Sequence, residues 1–260
     1  MTKFRLILFF SLTWYYIFGQ SGISVTPPRT YFTLGAGESD IKTISITNVS
    51  ASARLDLSVS FNDWKYDDNG NNVVSNANTL ATSSADWLQV SKQTFSLDPG
   101  ESYDLQLRMS VPTTLNAEPV HTAMMYITQT NPSDGVNDRG ASIKIAVRTG
   151  VKIYQRLPSA RSANIEFLDY KRESNKLLMK LENTGNIWAE GTITTDLLNT
   201  ATGKKIKAAD IIFYTMPGDR RNLQLELPAD LEKGNYVATS IVDYESSGAV
   251  KIAELEFGYD

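Results

Sequence analysis

The chain has no cysteine and a single histidine, His121, among its 260 residues. The first absence excludes disulfides, thiolate metal sites and cysteine nucleophiles. The second excludes a multi-histidine metal site within one chain and paired histidine chemistry. There is no basic surplus: 25 Lys and Arg stand against 29 Asp and Glu, a formal charge of −4. A general nucleic-acid binder carries the opposite balance. No stretch reads as a convincing helix, and beyond the amino terminus no apolar run approaches the roughly 20 residues of a membrane span.

What is present begins with MTKFRLILFFSLTWYYIFGQS. Lys3 and Arg5 precede an apolar core, Leu6 to Phe18, and the small Gly19 follows. This is the layout of a secretory signal peptide over residues 1–19, too short for a comfortable span. The expectation is an exported protein with no stable membrane insertion. Without disulfides it must be stabilised by core burial alone.

Short alternating segments fill the rest. In SLDPGESYDLQLRMSVP, Pro99-Gly100 turns the chain, and Tyr103, Leu105, Leu107 and Met109 then alternate with polar residues. Similar segments begin at Ile23, Arg29, Lys42, Leu55, Trp87 and Val120, with turns at Gly35-Ala36-Gly37, Asn69-Gly70 and Pro132-Ser133-Asp134-Gly135. A longer one, Ala141–Tyr154, alternates straight through Gly150 and ends near Leu157-Pro158. Beyond the polar SARSA stretch a second series runs from Ile165 to Phe257. Strands at this spacing predict an all-β protein of two immunoglobulin-like β-sandwich domains in tandem, residues 20–157 and 158–260. Asn62–Ser84 reads as a polar insert, a hairpin turning at Asn69-Gly70 with Trp64 and Tyr66 on one arm.

Signatures of chemistry are missing. Placing Gly70 at position six of a calcium loop puts Lys65 and Asn76 where acids are required. No serine sits in a G-x-S-x-G elbow, and Gly35-Ala36-Gly37 is followed by Asp40 where the dinucleotide motif needs glycine. Lys204-Lys205, Lys207 and Arg220-Arg221 read as solvated basic pairs, and His121 as a surface or half-buried strand residue. The expectation is a protein that is not an enzyme and needs no cofactor or metal.

Two stretches carry a family likeness. ISVTPPRTYFTLGAGES (Ile23–Ser39) and IKIAVRTGVKIYQRLP (Ile143–Pro158) resemble the opening strand and the G strand of the PapD-like periplasmic chaperones of the chaperone–usher route. The resemblance implies that Arg29 and Lys152 sit between the domains and bind the carboxylate of a subunit's last residue. It implies that Ile143, Ile145 and Val147 are lent to that subunit as a donor strand. Alternation alone leaves open whether these three face their own core. The implied partner is a pilus or surface-fibre subunit, with an outer-membrane usher as a further partner, and the implied location is the periplasm. The chain departs from the family pattern at PVHTAMMYITQTNP (Pro119–Pro132), at Gly150, where a basic residue is common, and at the Asn62–Ser84 insert. The competing reading is a secreted or surface-exposed adhesive protein of immunoglobulin-like domains.

Overall fold

A computed structural model describes residues 22–136, 139–159, 161–244 and 250–260; the expected signal peptide lies outside them. The first half comprises β1 (Ile23–Thr26), β2 (Arg29–Thr33), β3 (Ser39–Asn48), β4 (Leu55–Tyr66), β5 (Asn72–Ser75), β6 (Leu88–Val90), β7 (Thr94–Leu97), β8 (Ser102–Ser110), β9 (Val120–Gln129), β10 (Ser133–Val136), β11 (Ser142–Ile145) and β12 (Arg148–Arg156). The second comprises β13 (Ile165–Glu173), β14 (Lys176–Asn183), β15 (Ala189–Asn199), β16 (Lys205–Lys207), β17 (Ile211–Thr215), β18 (Arg220–Glu226), β19 (Gly234–Asp243) and β20 (Val250–Tyr259). The protein is all-β apart from one 3₁₀ turn at Ala85–Trp87 among the described residues.

In the first sandwich a sheet ordered β1-β3-β8-β6 faces one ordered β2-β12-β9-β4-β5, with β7 also on β4. The alternating residues of β8 behave as their pattern requires. Leu105, Leu107 and Met109 are fully buried against Phe32, Ile44, Ile46, Ile127 and Ile153. Each such side chain contributes about 1.5–3 kcal/mol. The second sandwich pairs β13-β14-β18 with β16-β15-β19-β20 and β17, and has its own core around Leu181, Ile193, Leu197 and Val242.

Pro27 and Pro28 cannot donate to a ladder. There the first strand leaves its sheet: β1 pairs with β3, while β2 crosses over and lies parallel to β12. The linker is held by the second sandwich, where Ser162 and Asn186 exchange hydrogen bonds. Gly185 is required there, because a Cβ would fall 2.2 Å from the Ser162 carbonyl.

The structure corrects several sequence expectations. Ala141–Tyr154 is not one strand but β11 and β12, broken at Ala146-Val147. Arg148 faces Thr128 and Ile145 faces Ser133, so between these pairs four residues of one chain lie against two of the other. Pro132 has no N–H, and Thr130 and Asn131 turn away to bond Asp56 and Arg54. The segment Ser133–Gly135, read as a turn, is strand β10, paired with β11. His121 is 1% exposed, its ring between the Gln155 and Asn116 side chains and beside Trp87.

Arg221 is not solvated either; it is the most buried cation of the chain's described part, at 1% exposure. Its guanidinium donates to the carbonyls of Tyr214 (2.7 Å) and Arg220 (2.6 Å), and to the Asp219 carboxylate. It also reaches the Asp67 carbonyl at the tip of the β4–β5 hairpin (3.1 Å), where Asn222 N–H donates to the Asp68 carbonyl (2.6 Å). The insert is thus a hairpin as expected, but its tip is seated on the second sandwich. Asp67 accepts from Asn69 and Asn71 within its own turn. Buried Asp63 gathers the returning chain through Thr79, Leu80 and Ser83. Arg221→Ala leaves half-buried Asp219 without its cation and three backbone carbonyls without their donor, and should cost about 3–5 kcal/mol. Urea unfolding checks this, with limited proteolysis at residues 159–163 reporting loosened halves; an unchanged urea midpoint would contradict the bracing role.

Candidate functional site

The parallel register of β2 on β12 sets Lys152 directly beside Arg29. Both sequence-predicted cations therefore meet at one place, the junction of the two sandwiches. Around them is a largely aromatic cluster, to which β9 contributes Met124 and Tyr126. β4 supplies Trp64 and Tyr66, β12 supplies Tyr154, and the second sandwich adds Trp188, Tyr214 and Met216. Tyr31 stacks on Tyr154 with ring centroids 5.0 Å apart, and Trp188 lies 5.1 Å from Tyr154. Trp64 meets Tyr66 edge-on at 5.1 Å and anchors its indole N–H on the Ala123 carbonyl (3.0 Å).

The Lys152 ammonium sits over the rings of Trp64 (4.2 Å) and Tyr66 (4.4 Å) and donates to the Tyr66 hydroxyl (3.0 Å). Among the described residues no carboxylate lies within ion-pair distance of it. Burial, and then the charge of Arg29, push its pKa down to about 8. Arg29 is held firmly charged, chiefly by the Tyr214 hydroxyl, and its guanidinium lies 4.9 Å from the Tyr214 ring centroid. Among the described residues its only acidic partner is Glu190, at 3.4 Å. With side chains 36% and 57% exposed, that pair contributes little, about 0–1 kcal/mol. Two adjacent cations, one desolvated, make a site suited to an oxyanion such as a carboxylate.

The other predicted residues lie along the approach to this point. None of Ile143, Ile145 and Val147 belongs to the core of the first sandwich. Ile143 and Ile145 pack over Gly135 on the facing strand, where a Cβ would lie 2.7 Å from Ile145 Cδ1. Ile145 is 44% exposed, and Val147 is tied to Gln129 through both its N–H and carbonyl. β11 pairs only with β10, and β12 pairs with β2 only from Lys152 onward. Among the described residues the far edge of Ser142–Val151 is therefore unpaired, and it ends where β2 takes over.

Sequence reasoning missed much of the cluster. Trp64 and Tyr66 were visible as neighbours on one strand face, but Tyr31, Tyr154, Trp188, Tyr214 and Glu190 come together only through the junction of the two halves.

No family model and no curated protein sequence matches the chain. Solved structures do. The Class 5 fimbriae chaperone CfaA superposes with a TM-score of 0.53 at 12% identity, covering 90% of this chain and 98% of its own. A chain of the chaperone–tip adhesin complex of CFA/I fimbriae biogenesis gives 0.51 at 13% identity, covering 92% and 98%. The chain thus has the two-domain β-sandwich fold of fimbrial chaperones.

Lys152 yields a prediction. Its folded pKa, about 8, lies below the roughly 10.4 of an unfolded lysine, so between these values the unfolded chain binds more protons. Stability from this group rises with pH across that window. Between pH 7.5 and 9.5, denaturation should show wild type gaining on Lys152→Met; a constant difference would mean that Lys152 titrates normally.

Proposed function

We propose that this protein is a periplasmic chaperone of pilus or surface-fibre subunits, exported by its amino-terminal signal and handing its clients to an outer-membrane usher. A client that lacks one strand of its own sandwich pairs with the free edge of Ser142–Val151. Main-chain hydrogen bonds hold it, and Ile143, Ile145 and Val147 supply apolar side chains to its open core. The client's carboxyl terminus is bound by Arg29 and Lys152. No covalent step is involved.

One observation carries this reading: the unpaired edge stops at the cation pair. A strand laid parallel along β11 and β12 meets the start of β2 at Lys152, whose N–H already donates to the Pro28 carbonyl (3.2 Å). A chain running that way must end there, and an ending chain presents a carboxylate. The carboxylate gives Lys152 the partner it lacks and displaces the weak contact from Glu190. The complex of a fimbrial chaperone with a tip adhesin is the kind of assembly this describes.

The test is capture of a co-expressed fibre subunit in osmotic-shock fractions. Arg29→Ala and Lys152→Ala should each reduce capture at least tenfold, each removing one of two charge-assisted contacts of about 1.5–3 kcal/mol. Glu190→Gln should raise it a few-fold, since Glu190 both competes for Arg29 and repels an incoming carboxylate. Affinity should fall as pH rises from 7 to 9.5, because free Lys152 loses its proton near pH 8, and Lys152→Arg should flatten that fall. Undiminished capture by both alanine variants would overturn the carboxylate clamp. Recovery of the protein on the cell surface would favour the adhesive alternative.

A further inference from the structure

The trough that holds Lys152 continues beyond it on the same sheet face. Gly150 and Met124 form its floor, Tyr126 and Tyr31 flank it, and Val74 of the insert strand β5 overhangs it. Gly150 lies opposite Tyr126 in the ladder and Lys152 opposite Met124. A side chain at residue 150 would close the space: its Cβ would lie 3.0 Å from Met124 Sδ and 3.1 Å from Tyr126 Cε1. Arg148 stacks on Tyr126 at 3.5 Å and bonds Asn62 at the base of the insert, which fixes that ring as a wall. Val74 is 41% exposed although its strand is paired to Trp64 at this point, so an apolar surface is held over the trough by main-chain bonding.

We propose that this trough is a specificity pocket for the last side chain of the client, and that it selects a large apolar or aromatic residue. The proposal rests on the carboxylate reading above. With the terminal carboxylate on Arg29 and Lys152, a side chain on that face of the client strand lies over Gly150, the one position of β12 on this face without a side chain. Two of the pocket's contributors are a glycine in the strand, Gly150, and a valine in the insert, Val74. Selection comes from burying the terminal side chain between Val74, Met124 and Tyr126, while the neighbouring cations read only the carboxylate.

The probes are fluorescein-labelled twelve-residue peptides of alternating Val and Thr with a lysine at the amino end. They end in Phe, Ser or Asp as free acids, and in Phe as the amide, and are titrated by anisotropy against the mature full-length protein. The Phe acid should bind about 10- to 100-fold more tightly than the Ser acid, the value of one buried large side chain. Gly150→Ala and Val74→Ser should bring that ratio below about threefold while leaving the preference for acid over amide intact; Val74 is exposed on a hairpin arm, so its uncharged variant tests the pocket even where Gly150→Ala perturbs folding. Equal binding of Phe and Ser acids, tighter binding of the Asp acid, or an unchanged ratio in Val74→Ser would overturn the pocket alone. Equal binding of Phe acid and Phe amide would overturn the carboxylate reading itself, and no binding of any peptide at millimolar concentration would overturn both.

Discussion

The parallel pairing of β2 with β12 is the constraint on which the rest depends. It begins at Lys152 and Arg29, and three consequences follow. It ends the free edge of β12, since β2 occupies the hydrogen-bonding side from that residue on. It places two like charges on adjacent strands, where repulsion costs free energy unless an anion joins them. It also carries Tyr31 onto Tyr154, and so extends the sheet face into the junction between the sandwiches. Were β2 to stay with β1 on the other sheet, the edge would run on to Arg156 and Lys152 would mark nothing.

The cost of this arrangement is visible at Lys152. Its ammonium has lost water and found aromatic faces instead, worth about 0.5–2 kcal/mol, with a neutral phenol as its hydrogen-bond acceptor. That is enough to hold the side chain in place but not enough to restore a normal pKa. The insert makes this possible, because Trp64 and Tyr66 lie on the extended arm of β4 and their hairpin is fixed to the second sandwich by Arg221. On the proposed reading, preorganisation of this kind lowers the entropic cost of binding, since the cations and the rings beneath them already stand in position.

Much of the fold was legible because period-2 alternation is written directly in the residues, as in Tyr103–Met109 and in the series from Ile165 to Phe257. The meeting of Arg29 with Lys152 came only from resemblance; no spacing rule brings two residues 123 positions apart (152 minus 29) into one ladder. Three of the readings that failed did so for clear physical reasons. The break at Ala146-Val147 lies in no breaker residue of its own strand but in Pro132 and Asn131 of the facing chain. Arg220-Arg221 looked solvated because charge predicts exposure; three backbone carbonyls and Asp219 satisfy Arg221 instead. Pro132–Gly135 has turn composition, yet its Gly135 serves as a cross-strand seat for Ile143 and Ile145.

An unpaired edge is a hazard to any soluble protein, since it can template any chain. Among the described residues Lys144, Arg148 and Lys152 recur along this one, and Asp134 pairs with Lys144 across the hairpin. Two copies brought edge to edge would crowd these cations together, which costs free energy that a chain ending in a carboxylate does not incur. On the proposed reading, the residues that define where a partner ends also disfavour one wrong partner, a second copy of the protein. Main-chain pairing along Ser142–Val151 is indifferent to sequence. On the proposed reading, discrimination comes from the ends and faces of that edge, where the cations, Gly150 and Val74 line one trough.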